Sequence, residues 1–104
     1  MIEKSTQQLP QSGERAILVG VCTREMQFEQ AKEYLDELAF LLESAGGKPV
    51  RSFVQNLDQP VNATYVGRGK LDEIRSAIEE AEADMVIFDD DLSPSQIRNL
   101  DKAL

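Results

Sequence analysis

The sequence contains no histidine and a single cysteine, Cys22. Both absences exclude chemistry. Ser-His-Asp catalysis needs an imidazole, and most cysteine nucleophiles need a histidine beside them. Zinc requires clusters of Cys or His ligands. One cysteine cannot form an internal disulfide, and Cys22 reads as a small buried apolar residue. A long hydrophobic run is also missing. The opening stretch, MIEKSTQQLPQSGE, is polar and aperiodic and holds nothing like a signal or membrane-spanning segment. A cytoplasmic location is therefore expected. Positive charge is scarce too: 11 Lys and Arg stand against 19 Asp and Glu, a net charge of −8. That excludes a domain holding nucleic acid by overall charge, while allowing a local basic contact. No internal repeat and no low-complexity segment is present.

What remains is a soluble globular composition, 41% hydrophobic and 29% charged over 104 residues. A single domain of this size buries roughly 65% of the surface its unfolded chain exposes. Residues 1–14 read as a disordered polar tail and residues 15–104 as the domain. The run from Ala16 to Cys22 is continuous, apolar and β-branched, as expected of a strand buried on both faces. Phe28, Ala31, Leu35, Leu38, Leu42 and Ala45 then recur at spacings of three and four. They predict a helix over 27–45, stopped by Gly46-Gly47 and kept from resuming by Pro49. Phe40 falls off this stripe, beside Asp36 and Glu43, and could mark a contact.

A second strand is predicted over Val50–Leu57, with Val50 and Val54 on one face and Phe53 and Leu57 on the other. Thr64-Tyr65-Val66 reads as a short extended piece. A second helix is expected from about Leu71, with Leu71, Ile74, Ala77, Ile78 and Ala81 as its stripe. Met85–Phe88 is a third buried strand. Ser93-Pro94-Ser95-Gln96 is a helix start, with Ser93 as cap, Pro94 at the first position and Gln96 completing a capping box. Ile97, Leu100 and Leu104 form the last stripe. The chain stops in this helix without a closing cap or return strand, so a truncated portion of a larger protein is expected. Alternating strands and helices predict an α/β fold, a small mainly parallel sheet flanked by helices.

Three stretches are candidates for function. The first is TYVGRGKLDEI, residues 64–74. It fails as a P-loop: with Gly69-Lys70 as the Gly-Lys pair, Thr64 stands where the first glycine belongs and Leu71 where a hydroxyl belongs. It fails as a dinucleotide loop because Asp72 replaces the third glycine. Two readings stay open. Gly67 and Gly69 turn the chain into a helix whose first turn holds Asp72 and Glu73. Alternatively, the glycine N–H groups, with Arg68 and Lys70 beside them, contact an anion, an RNA phosphate better than a nucleotide. Arg75 could extend that basic patch.

The second candidate is Asp89-Asp90-Asp91, directly after the third strand. Ligands of open α/β sheets bind beyond the carboxyl ends of strands, and three carboxylates there could hold magnesium. Equally, they could close the strand and be solvated. No nucleophile or general base is paired with them. The third is Thr23 and Arg24, after the first strand on the same edge, which also suit a plain polar loop.

YVGRGKLDEI and ADMVIFDDDLSPSQIRNL, with AILVGV ahead of them, together resemble the N-terminal domain of HflX-type GTPases, which are ribosome-associated. The resemblance spans about residues 14–104. Its signature falls on Gly67, Gly69, Lys70, Asp89, Asp90, Leu92, Ser93, Pro94 and Gln96. It implies a protein that binds the large ribosomal subunit, through ribosomal RNA, and splits or rescues ribosomes under stress. A helical segment and a G domain would follow, carrying the GTP motifs, with GTP and magnesium as cofactors. None of those motifs occurs in these residues, so no cofactor and no catalytic residue is expected within this chain. The rival expectations are an independent nucleotide- and magnesium-binding domain using the sheet's carboxyl edge, and a structural domain that positions the G domain.

Overall fold

The computed structural model describes residues 2–3, 13–23, 27–58 and 61–104. Its elements in chain order are β1 (Ile2–Glu3), β2 (Arg15–Cys22), α1 (Phe28–Ser44), β3 (Lys48–Asn56), α2 (Arg68–Ala81), β4 (Met85–Phe88) and α3 (Pro94–Ala103). The strands form one sheet in the order β1-β4-β2-β3, and every pairing is parallel. The expected α/β architecture is thus the observed one.

β2 lies between two neighbours, which explains its uninterrupted apolar sequence. Its even residues, Ala16 and Leu18, meet Met85, Ile87 and the Leu35, Leu38 and Leu42 stripe of α1. Its odd residues, Ile17, Val19 and Val21, meet Leu71 and Ile74 of α2 and Leu100 of α3. α1 therefore covers one face of the sheet, and α2 and α3 cover the other. Each leucine of the α1 stripe is nearly inaccessible, and burying such a side chain is worth about 1.5–3 kcal/mol.

α1 ends where Gly46 adopts φ 95°. There the Gly47 N–H donates to the Leu42 carbonyl and the Gly46 N–H to the Glu43 carbonyl, the paired bonds of a Schellman stop. Pro49 does not delay the next strand. It sits inside β3, an edge strand, where a missing N–H need not be paired.

Two expectations are corrected. Pairing with β2 jumps from Ala16–Pro49 to Ile17–Arg51, leaving Val50 as an extra residue. This bulge shifts the two-residue period by one. Val50 consequently packs with Phe53 and Leu57, while Val54 packs on the α1 side alone. In addition, Ile2–Glu3, within the stretch expected to be a polar tail, pairs with Val86 and Ile87 of β4. A two-residue strand is too short to leave a periodic signature.

Candidate functional site

β2 and β4 are neighbours, yet their carboxyl ends lead to opposite faces. β2 continues to α1, and β4 continues to α3. This divergence opens a crevice of the kind where α/β sheets take their ligands. A cleft of about 380 Å³ lies there, lined by Gly20, Val21, Ala31, Tyr34, Glu37, Leu38, Leu41, Tyr65, Asp89 and Asp90. Its floor is apolar, and among the described residues its polar side chains are two phenols and three carboxylates.

Tyr65 owes its place to a tight turn. Its N–H donates to the Val61 carbonyl at 2.7 Å and its carbonyl accepts from the Val61 N–H at 3.0 Å. The Val66 N–H then donates to the Thr64 carbonyl at 2.7 Å, closing a three-residue turn around Tyr65 with φ 68°. Such a turn is strained for a residue with a side chain. The extended piece expected at 64–66 is therefore replaced by this turn. Burial offsets the strain: Tyr65 is 4% exposed and meets Phe88 edge to face, with ring centroids 5.7 Å apart. Burial, then the carboxylates of Asp90 and Asp89, push its phenol above the ordinary tyrosine value; the Val21 backbone N–H opposes them.

Asp89 closes β4, its N–H donating to the Val19 carbonyl at 2.8 Å. Burial raises its carboxyl above the usual range, and the neighbouring charges of Asp90 and Glu37 raise it further. Asp90 accepts from the Asp91 N–H at 2.7 Å. Among the described residues, no three carboxylate, His or Cys groups converge as a metal would require. Asp91 does not line the cleft, and the third carboxylate there is Glu37, from α1. Thr23 is described and lies outside the lining; Arg24 lies outside the described residues.

The 64–74 stretch is organised differently from its sequence reading. α2 begins at Arg68 with Gly67 as its cap, three residues earlier than expected. Asp72 and Glu73 consequently sit beyond the first turn, which holds Arg68, Gly69 and Lys70 instead. Cations at a helix N-terminus oppose the helix dipole. Lys70 is compensated by Glu73 at 3.0 Å and lies over the Phe53 ring at 5.6 Å; only 20% of its side chain is exposed. Arg75 donates to the Ala103 carbonyl at 2.9 and 2.7 Å, tying α2 to the end of α3. Arg68 is exposed, and among the described residues no ion pair holds it.

Gly67 has φ −73°, ordinary for any residue. Its constraint is proximity. The Gln55 side-chain carbonyl accepts its N–H at 2.8 Å, and a Cβ would stand 3.2 Å from Gln55 Nε2. At Gly69 a Cβ would meet nothing within 4 Å. The Ser93 capping box forms as expected: Ser93 Oγ accepts the Gln96 N–H at 3.1 Å, and Gln96 Oε1 accepts the Ser93 N–H at 2.9 Å. Gln96 Nε2 also reaches the Val61 carbonyl at 3.3 Å, bracing the turn that presents Tyr65.

The sequence reading brought Asp89 and Asp90 to this edge but missed Tyr65, Tyr34 and Glu37. Tyr34 and Glu37 are three apart on α1 and flank its buried stripe. That spacing places them on one helical face but does not reveal which strand end they oppose.

The family described as GTP-binding GTPase N-terminal matches residues 32–104. The chain belongs to this family. It is 40% identical over all of its 104 residues to a GTPase HflX of Flavobacterium psychrophilum, covering 24% of that protein. It is 43% identical over 97 residues, 93% of the chain, to the GTPase HflX of Lacrimispora saccharolytica, covering 22%. To that of Escherichia coli it is 37% identical over 93 residues, 88% of the chain and 21% of the relative. The chain thus spans a quarter or less of the curated relatives it matches, and the match is with the N-terminal portion that names the family.

Proposed function

We propose that the chain is the non-catalytic N-terminal module of an HflX-type GTPase that binds the large ribosomal subunit and acts in splitting or rescuing ribosomes in the cytoplasm. The observation that carries this reading is the identity with GTPases HflX across the whole chain. GTP and magnesium belong to the downstream G domain, because residues 64–74 lack both the first glycine and the hydroxyl of a phosphate loop. The alternative, a nucleotide site at the carboxyl edge, meets a physical objection. Among the described residues, three carboxylates and no Lys or Arg line that cleft, an arrangement that repels a polyphosphate. No helix of the described residues is long and apolar enough to cross a membrane.

Contact with ribosomal RNA would fall on the α2 N-terminus, at Gly67, Arg68, Gly69 and Lys70, with exposed Arg68 as the main phosphate contact. The test is co-sedimentation of the full-length protein with large subunits in the presence of a non-hydrolysable GTP analogue. Deleting residues 1–104 should weaken binding strongly while leaving GTP affinity in place. Equal co-sedimentation of both forms would remove this module from ribosome recognition.

A further inference from the structure

The outer face of α1 carries an apolar ridge. Tyr34, Phe40 and Leu41 are 40%, 70% and 49% exposed. Phe40 and Leu41 border a shallow depression together with Asp36 and Glu37. Glu37 and Leu41 also wall the cleft that holds Asp89 and Asp90. Ridge and cleft therefore share a rim and form one surface. Among the described residues its charge has a single sign: the acidic or basic residues lining either depression are Asp36, Glu37, Asp89 and Asp90. α1 itself has five acidic residues and one lysine.

We propose that this surface docks a basic amphipathic helix of a protein partner, its apolar side on Phe40 and Leu41 and one lysine or arginine in the cleft between Glu37, Asp89 and Asp90. Charge complementarity selects the occupant. An anionic partner such as RNA would place phosphate against these carboxylates. A bare cation would make no use of the apolar ridge. A side chain that is both long and cationic uses everything present: its stem lies on Leu38 and Leu41, its head meets the carboxylates, and the Tyr34 and Tyr65 rings suit a guanidinium. An amphipathic helix laid along an apolar stripe is a recurrent mode of recognition. Asp89, half-buried beside two like charges, is the group whose ionised form such a cation would relieve. The inference does not depend on ribosome binding.

The test uses the isotopically labelled chain and a synthetic amphipathic helix of leucine and arginine, with a second peptide in which citrulline replaces arginine. Amide shifts at Gly20, Val21, Leu38, Asp89 and Asp90 should follow the arginine peptide. The citrulline peptide should bind roughly tenfold more weakly or less, as expected for a lost charge pair. Glu37→Gln and Phe40→Ser lie on the surface and should each lower affinity several-fold, with unchanged circular dichroism. Glu79→Gln, on α2, serves as the control for non-specific attraction to an acidic protein. Shifts spread evenly over the chain, equal binding of both peptides, or equal effects of Glu37→Gln and Glu79→Gln would overturn the proposal. So would an RNA oligonucleotide that moves the same amides.

Discussion

Two residues separate what the fold needs from what it tolerates. Gly69 lies in the first turn of α2, where an added Cβ meets nothing within 4 Å, so the fold gives no reason for a glycine. Gly69→Ala should stabilise the chain by up to about 1 kcal/mol, through helix propensity and a less flexible unfolded state. A urea midpoint checks this. Reduced ribosome co-sedimentation by a stabilised Gly69→Ala protein would show that the glycine serves close approach of a partner. Asp89 presents the opposite case. Its carboxyl is raised in the folded chain by burial, Asp90 and Glu37, so the native state retains a proton that the unfolded chain has already released. Ionisation therefore costs stability as pH rises from the ordinary carboxylate range through the raised value. Asp89→Asn should raise the thermal midpoint at pH 7, and the gain should disappear on acidification below the ordinary carboxylate range. A midpoint lowered at every pH would mean the carboxylate stabilises the strand end instead.

At the scale of elements, α2 and α3 are held by side chains reaching across the fold rather than by their own length. Arg15 donates to the Ala81 carbonyl at 2.8 Å, fixing the end of α2 to the start of β2, and Arg75 reaches Ala103 at the end of α3. The start of α3 depends on its capping box. Ser93→Ala removes the acceptor for the Gln96 N–H and should cost about 1 kcal/mol of unfolding free energy. The effect should extend beyond α3. Gln96 also bonds the Val61 carbonyl, and Val61 is the bridge partner of Tyr65. Chemical denaturation measures the cost, and amide exchange at Tyr65 should quicken in the same variant. An unchanged midpoint would show that the cap contributes nothing to global stability.

For the whole molecule, the acidic balance and the basic start of α2 lead to distinct expectations. The purified 104-residue chain should not hydrolyse GTP above a buffer blank, since its two Gly-Lys pairs, Gly47-Lys48 and Gly69-Lys70, are followed by Pro49 and Leu71 rather than by a hydroxyl residue. Turnover abolished by a change within residues 64–74 would contradict this. In the full-length protein, replacing Arg68 and Lys70 with Ala should weaken ribosome binding and shrink the log–log salt slope by about one unit or somewhat more. Most of that change should come from Arg68. Lys70 is already engaged by Glu73 and the Phe53 ring, so Lys70→Ala should act partly through stability. An unchanged affinity and slope for the double variant would leave residues 64–74 as a helix start only.

The α/β class, β2, α1, β4 and the Ser93 cap were legible in the sequence, because each rests on local physics. A continuous β-branched run, a three-and-four spacing, a Gly-Gly stop and an S-x-x-Q box need no distant partner to be recognised. Other features depended on tertiary structure. Which face Val50 occupies was decided by a bulge in its pairing with β2, and the edge position of β3 decided that Pro49 is tolerated. The 64–66 turn is strained on its own and persists because Tyr65 packs on Phe88 and Gln96 braces Val61. The cleft draws Tyr34 and Glu37 from α1, Tyr65 from a turn, and Asp89 and Asp90 from the end of β4. Only the order of strands, with β2 and β4 adjacent and leading to opposite faces, brings those three segments together. Periodicity reports which side of an element is buried; the sheet topology decides what lies across from it.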